Sequence, residues 1–165
     1  RSERVVRAMP NTPALIGEGV AALYARAAAT PGDRDMCQAV LAPTGQTLWV
    51  DDEAALDAVT ALSGSGPAYV FYLLEAMLEA GTSMGLTADQ ARLLAIQTVR
   101  GSAALAAASP ETPTTLRDRV TSKGGTTHAA VSLLDERAVG SAFIDAIHAA
   151  QRRARELGDE FDPRS

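Results

Sequence analysis

The chain is expected to be mainly α-helical, with a small α/β segment at its start. From Asp51 onward nearly every segment carries helical signals, while β-type runs are confined to the first fifty residues. The hydrophobic content of 47% includes only 4% aromatics, so small side chains, alanine above all, must do much of the packing. At 165 residues this is one domain, or one domain with an appendage, able to bury roughly two-thirds of its unfolded surface.

In chain order, "RVVRAM" and "QTLWVD" read as short strands, the first closed by "PNTP", whose two prolines break any regular element. "GVAALYA" lies between turn signals and is taken as a strand. "TPGDRDMCQAVLAPTG" is helical, with Asp33 near its start and Gly45 just after its end. Strand, strand, helix, strand resembles the tail of an α/β sheet more than a sheet that could stand alone. "DDEAALDAVTAL" opens a helix with acids suited to its positive end. "LSGSGP" breaks it and sets Pro67 in the first turn of the next. "PAYVFYLLEAMLEAGTSMG" is apolar nearly all round, and "LTADQARLLAIQTVRGSAALAAAS" follows from a Thr87 cap. Helices apolar on most sides must be buried on most sides, and a domain this small has too few partners for them, which predicts an intertwined dimer. In the tail, Phe143, Ile147, Ala150, Ala154 and Leu157 follow helical spacing, with arginines concentrated late.

Bulk numbers exclude several functions. A formal charge of -5, without a basic block, argues against a nucleic-acid partner. Cys37 stands alone, so no disulfide or zinc cluster forms within the chain; it is read as a core thiol in a reducing cytoplasm. The charged start is not a signal peptide, and Glu75 and Glu79 interrupt the longest apolar run, against a membrane span.

Two glycine patterns suggest dinucleotide binding, but each departs from the fingerprint. "GSGPAY" at Gly64 has Tyr69 in the third place and follows a helical segment, so it is taken as a helix-to-helix turn. "GEGVAA" at Gly17 follows a proline-broken loop and no helix is expected after it. Glu75 and Glu79, one helical turn apart, are read as a solvated or interface face. His148 is assigned to the surface, and His128 to the first turn of a helix, without metal partners. No nucleophile, base and acid set is visible. The segment Thr121 to Thr127 is richer: Gly124 and Gly125 permit a tight bend, and a helix beginning near Thr126 aims unpaired N–H groups and a partial positive charge at the same place. Ser122, Thr126 and Thr127 could cap that helix or donate to an anion, and residue chemistry leaves both open.

"VTSKGGTTHAAVSLLD", preceded by "PTTLRDR", resembles the signature of pyrroline-5-carboxylate reductases, which reduce a cyclic imine to proline with NADPH or NADH. "RAMPNTP", "GVAALYA" and "LDAVTALSGSGPAYVFYLLEAMLEAG" agree in the same order. The resemblance implies residues 1–52 as the end of a Rossmann domain and 53–165 as a helical dimerisation and substrate-binding domain of the 6-phosphogluconate dehydrogenase C-terminal type. It implies a cytoplasmic homodimer or higher homo-oligomer without nucleic-acid or membrane partners. The glycine-rich first turn would lie upstream, so the chain alone is expected to be inactive. By the same resemblance, backbone N–H groups at Ser122, Gly125, Thr126 and Thr127, with Gly124 in the bend, hold the substrate carboxylate, and the Thr127 hydroxyl bonds the ring nitrogen. Met9, Pro10 and Asn11 would lie by the nicotinamide end of the cofactor. Lys123 replaces the proline common at its place and is expected to point to solvent. No metal is implied. The alternative is a non-catalytic helical dimerisation module with a plain helix cap at this turn.

Overall fold

A computed structural model describes residues 3–160. The first two residues, on which the reading of a charged start partly rests, lie outside the described residues, as do 161–165. The described residues fall into two compact units, one within the bounds Arg1–Tyr69 and Ile144–Ser165, the other Val70–Phe143.

In the first unit, β1 (Val6–Met9), β2 (Gly19–Ala25) and β3 (Gly45–Trp49) form a sheet in the order β1-β2-β3. β1 runs antiparallel to β2, with Met9 opposite Ala22, and β2 runs parallel to β3, with Gly19 opposite Gly45. β2 is central and supplies Ala21, Ala22 and Leu23, the most deeply buried apolar residues of the sheet. Glycine is required at the start of both strands: a Cβ on Gly19 would lie 2.7 Å from Ala14 Cα and 2.8 Å from the Thr44 carbonyl oxygen, and a Cβ on Gly45 would strike the Gly19 backbone. "GEGVAA" is therefore a structural pattern. Gly17, in the left-handed region at φ 74°, ends a 3-10 turn at Thr12–Ile16, and a strand follows it.

The parallel pair is joined by α1 (Pro31–Leu41). Thr30 and Asp33 form a reciprocal capping box, and Pro31 occupies the first turn. Asp33 also receives Arg4, whose Nε lies 2.9 Å from Oδ2 and whose second nitrogen meets Oδ1. Arg34 stacks over Trp49, 4.3 Å from the ring centre. No residue of α1 is fully buried, and Cys37 is half-buried, so the expected core thiol is corrected. The helix lies against β1 and β3 and keeps most of its residues exposed.

α2 (Ala55–Val59) continues into a π-helical turn at Thr60–Gly64, and a single residue, Ser65, separates that turn from α3 (Gly66–Ser83). The helix-to-helix turn expected at "LSGSGP" is thus a widened, π-helical one. α4 (Ala88–Ala108) opens with a second capping box, Thr87 with Gln90, as its sequence indicates. α5 (Pro113–Arg119), α6 (Thr126–Glu136) and α7 (Val139–Glu160) follow; Ala138, at φ 51°, turns the chain from α6 into α7. Across α3 to α7 the only fully buried described residues are Gly81, Ala91 and Ala95. A Cβ on Gly81 would lie 2.8 Å from that of Ala91, which explains the glycine. Tyr72 is 77% exposed and Leu93 69%, with Phe71, Leu94, Leu105 and Leu133 at half or more. Apolar helical faces this open are of the kind that mark interaction surfaces.

Candidate functional site

The turn between α5 and α6 is built from both helix ends. Thr112 caps α5, and Arg119 pairs with Glu111 at 2.5 Å, tying the helix end to the segment before it. At the far end, the N–H of Val120 and the Oγ1 of Thr121 both donate to the Arg117 carbonyl, at 3.2 and 2.6 Å, and the Thr121 N–H reaches Asp118 O. With those carbonyls satisfied, the chain leaves α5 in a defined direction.

Ser122 to Gly125 then make a β-turn closed by the Gly125 N–H donating to the Ser122 carbonyl at 3.0 Å. Gly124 has φ 76°, whereas Lys123 is absent from the positive-φ residues, and this combination is a type II turn. The two glycines meet different demands. Nothing lies within 4 Å of a Cβ placed on Gly124, so its requirement is conformational. Gly125 has φ -80°, but its Cβ would sit 2.7 Å from Ser122 Oγ, so its requirement is space.

Gly125 is the N-cap of α6, and no side chain caps that helix. Among the described residues, no hydrogen bond within the chain engages the N–H groups of Thr126, Thr127 or His128, or the hydroxyls of Ser122, Thr126 or Thr127. The hydroxyls of Ser122, Thr126 and Thr127 therefore do not cap α6. The first turn thus presents three N–H groups and the positive end of an eleven-residue helix beside a half-buried Thr127. The Gly125 N–H is already committed to the turn. Ser122, Lys123 and His128 are exposed.

The second expected group lies in the other unit and is described by itself. Met9 ends β1, and its Cε lies where a Cβ on Gly64 would be crowded at 2.5 Å. Asn11 precedes the 3-10 turn, and its Oδ1 accepts from the Val20 N–H at 3.0 Å, leaving its amide nitrogen as the donor face. Pro10 between them is exposed. Glu75 and Glu79 are exposed on α3, and His148 is exposed on α7. A shallow depression of about 240 Å³ on α4, lined by Asp89, Arg92, Leu93, Ile96 and Gln97, includes none of the residues singled out above. No described cluster of His, Cys, Asp or Glu could hold a metal ion, and no described helix is long and apolar enough to cross a membrane. What sequence reasoning missed is the Met9 and Gly64 contact: residues 55 positions apart carry no local signal of touching.

The chain is similar to known proteins over most of its length. The family described as pyrroline-5-carboxylate reductase dimerisation matches residues 53–157. The pyrroline-5-carboxylate reductase of Pseudomonas aeruginosa is 44% identical over 157 residues, covering 95% of this chain and 58% of that protein. That of Synechocystis is 44% identical over 154 residues, covering 93% and 57%. Among solved structures, the Coxiella burnetii pyrroline-5-carboxylate reductase superimposes with a TM-score of 0.88 at 40% identity, over 93% of this chain and 57% of that one. The Plasmodium falciparum pyrroline carboxylate reductase with NADP bound gives 0.89 at 29% identity, over 94% and 61%. The chain thus spans less than two-thirds of the length of these relatives. It belongs to the pyrroline-5-carboxylate reductase family, whose dimerisation domain it matches from residue 53 to residue 157.

Proposed function

We propose that the complete protein reduces 1-pyrroline-5-carboxylate to L-proline, the last step of proline biosynthesis, as a cytoplasmic homodimer or higher homo-oligomer. The observation that carries this reading is the type II turn at Ser122–Gly125 leading into an uncapped α6 within a family-matched domain. Because the chain spans under two-thirds of its relatives, the activity is assigned to the complete protein and not to this stretch alone. Residues 1–52 are taken as the end of the cofactor domain and 53–165 as the dimerisation and substrate-binding domain.

The substrate carboxylate would sit on the first-turn N–H groups of Thr126 and Thr127, where an anion is favoured without arginine. Ser122 would add its backbone N–H and its hydroxyl. Gly124 gives the turn its left-handed residue, and Gly125 leaves room for Ser122; the Gly125 N–H would reach the carboxylate only by sharing its bond to the Ser122 carbonyl. The Thr127 hydroxyl, which no group in the described chain engages, would hold the imine nitrogen. Asn11, with Oδ1 fixed on Val20 and its amide nitrogen left to donate, fits an amide-bearing cofactor end, and Met9 and Pro10 would flank it. When bound, NADPH or NADH supplies the hydride that the imine carbon accepts. The contribution of this chain is orientation: carboxylate and nitrogen held at two points leave the imine carbon one way to face.

In the complete protein, Thr127→Ala should slow reduction of pyrroline-5-carboxylate by about 10- to 1000-fold while the oligomer stays intact. Unchanged turnover would remove Thr127 from the mechanism.

A further inference from the structure

We infer that Gly64 is a positioning residue for the nicotinamide end of the cofactor, acting through the side chain of Met9. The inference rests on the proposed placement of Met9, Pro10 and Asn11 beside that cofactor. Gly64 closes the π-helical turn, and it is absent from the left-handed glycines, so its backbone does not require glycine. Space requires it. A Cβ there would lie 2.5 Å from Met9 Cε and no nearer than 3.7 Å to anything else, so the one neighbour that glycine accommodates is the tip of Met9.

The floor under that tip is fixed. The Ser65 N–H donates to the Thr60 carbonyl at 2.8 Å, and the Oγ1 of Thr60 donates to Leu56 O at 2.7 Å. Ser63 Oγ reaches Val59 O at 3.2 Å, and the Tyr69 hydroxyl donates to the Ala61 carbonyl at 3.0 Å. The Met9 backbone is held in β1 opposite Ala22, and Asn11 is held by Val20. Between these two fixed bodies the Met9 thioether is the movable part, with three rotatable bonds. π-turns of this kind are frequent at functional sites, and this one sets a notch against the residue that leads into the Pro10–Asn11 segment.

An added methyl at 64 must move the Met9 tip by about 1 Å to restore ordinary contact of about 3.5–4.0 Å. The shift costs the fold little, because only the far end of a flexible side chain gives way. A misplacement of that size beside a reacting group can cost up to about 100-fold in rate.

The test uses the complete protein with Gly64→Ala, Met9→Ala and the double variant. NADPH affinity is read by fluorescence titration, and KM is read separately for NADPH and for pyrroline-5-carboxylate. Gly64→Ala should weaken NADPH binding by about 3-fold or more, leaving KM for pyrroline-5-carboxylate and the melting temperature nearly unchanged. In the Met9→Ala background it should add nothing, since no thioether remains to displace. Met9→Leu, which removes the Met9 Cε that the Gly64 notch receives, should shift NADPH affinity in the same direction and serves if Gly64→Ala fails to fold. Unchanged NADPH affinity in Gly64→Ala while Met9→Ala weakens it, or independent multiplying effects in the double variant, would overturn the role of Gly64. No change in NADPH affinity for either Met9→Ala or Asn11→Ala would instead sink the placement of the loop, and the inference with it.

Discussion

Replacing Gly124 and Gly125 one at a time by alanine separates conformation from space in the α5–α6 turn. At 124 the backbone is left-handed, φ 76°, and a methyl meets nothing within 4 Å. The cost is therefore the left-handed penalty of an L residue, about 1–2 kcal/mol, partly offset by alanine's smaller unfolded-state freedom. A net loss of about 1 kcal/mol corresponds to a melting temperature about 2–4 °C lower in a chain of this size. At 125, φ is -80° and carries no such penalty, but a methyl lies 2.7 Å from Ser122 Oγ and 3.2 Å from Ser122 O. The hydroxyl can rotate away, so stability should change less than at 124 while the Ser122 donor is misdirected. Thermal unfolding with KM for pyrroline-5-carboxylate in the complete protein reads both. Gly124→Ala should lower the melting temperature and raise KM; Gly125→Ala should raise KM with a smaller thermal shift, partly relieved by adding Ser122→Ala. An unchanged melting temperature for Gly124→Ala would show that residue 124 is not held left-handed in solution. An unchanged KM in both variants would show that the turn does not hold substrate.

Lys123→Pro should stabilise the protein by about 0.4–1 kcal/mol, because proline suits the second position of a type II turn; a lower melting temperature by calorimetry would refute the turn assignment. The Arg4 guanidinium, then the N–H and hydroxyl of Thr30, hold the Asp33 carboxyl well below the usual carboxylate range. The stability this contributes is present above the unfolded carboxyl value of about 3.9 and is lost as pH falls from there toward the depressed folded value. Urea unfolding of Asp33→Asn should therefore differ from the parent at pH 7 and converge on it in acid, and a constant difference down to pH 3 would count against the ion pair. Light scattering on this chain should give twice the monomer mass or more, since Phe71, Tyr72 and Leu93 are left open to solvent within one chain. A clean monomer would contradict the buried-helix reasoning.

Much of the fold was legible from local chemistry. Pro31 and Asp33 mark the start of α1, Thr87 caps α4, and "GVAALYA" matches β2 residue for residue, because caps and strand ends are decided within a few positions. Glycines were harder to read. The pairs Gly64–Gly66 and Gly17–Gly19 raised the thought of a dinucleotide cradle, yet Gly19 is there for Ala14 and the Thr44 carbonyl, and Gly64 for Met9. Cys37 was misplaced for a related reason: a lone thiol suggested a core, but most of α1 is open to solvent and Cys37 is only half-buried.

The sequence by itself determined that the chain is helical after its first fifty residues, that its helices are too apolar to stand alone, and that a bend at Gly124 and Gly125 precedes a helix. These follow from periodicity, propensity and the freedom of glycine, all of which act over a few residues. Only the tertiary structure decided that no side chain caps α6, that Gly125 makes room for Ser122, and that a π-turn receives Met9. Those facts depend on where atoms distant in sequence, or rotamers within one turn, come to rest, and a linear pattern of residue types does not contain that distance.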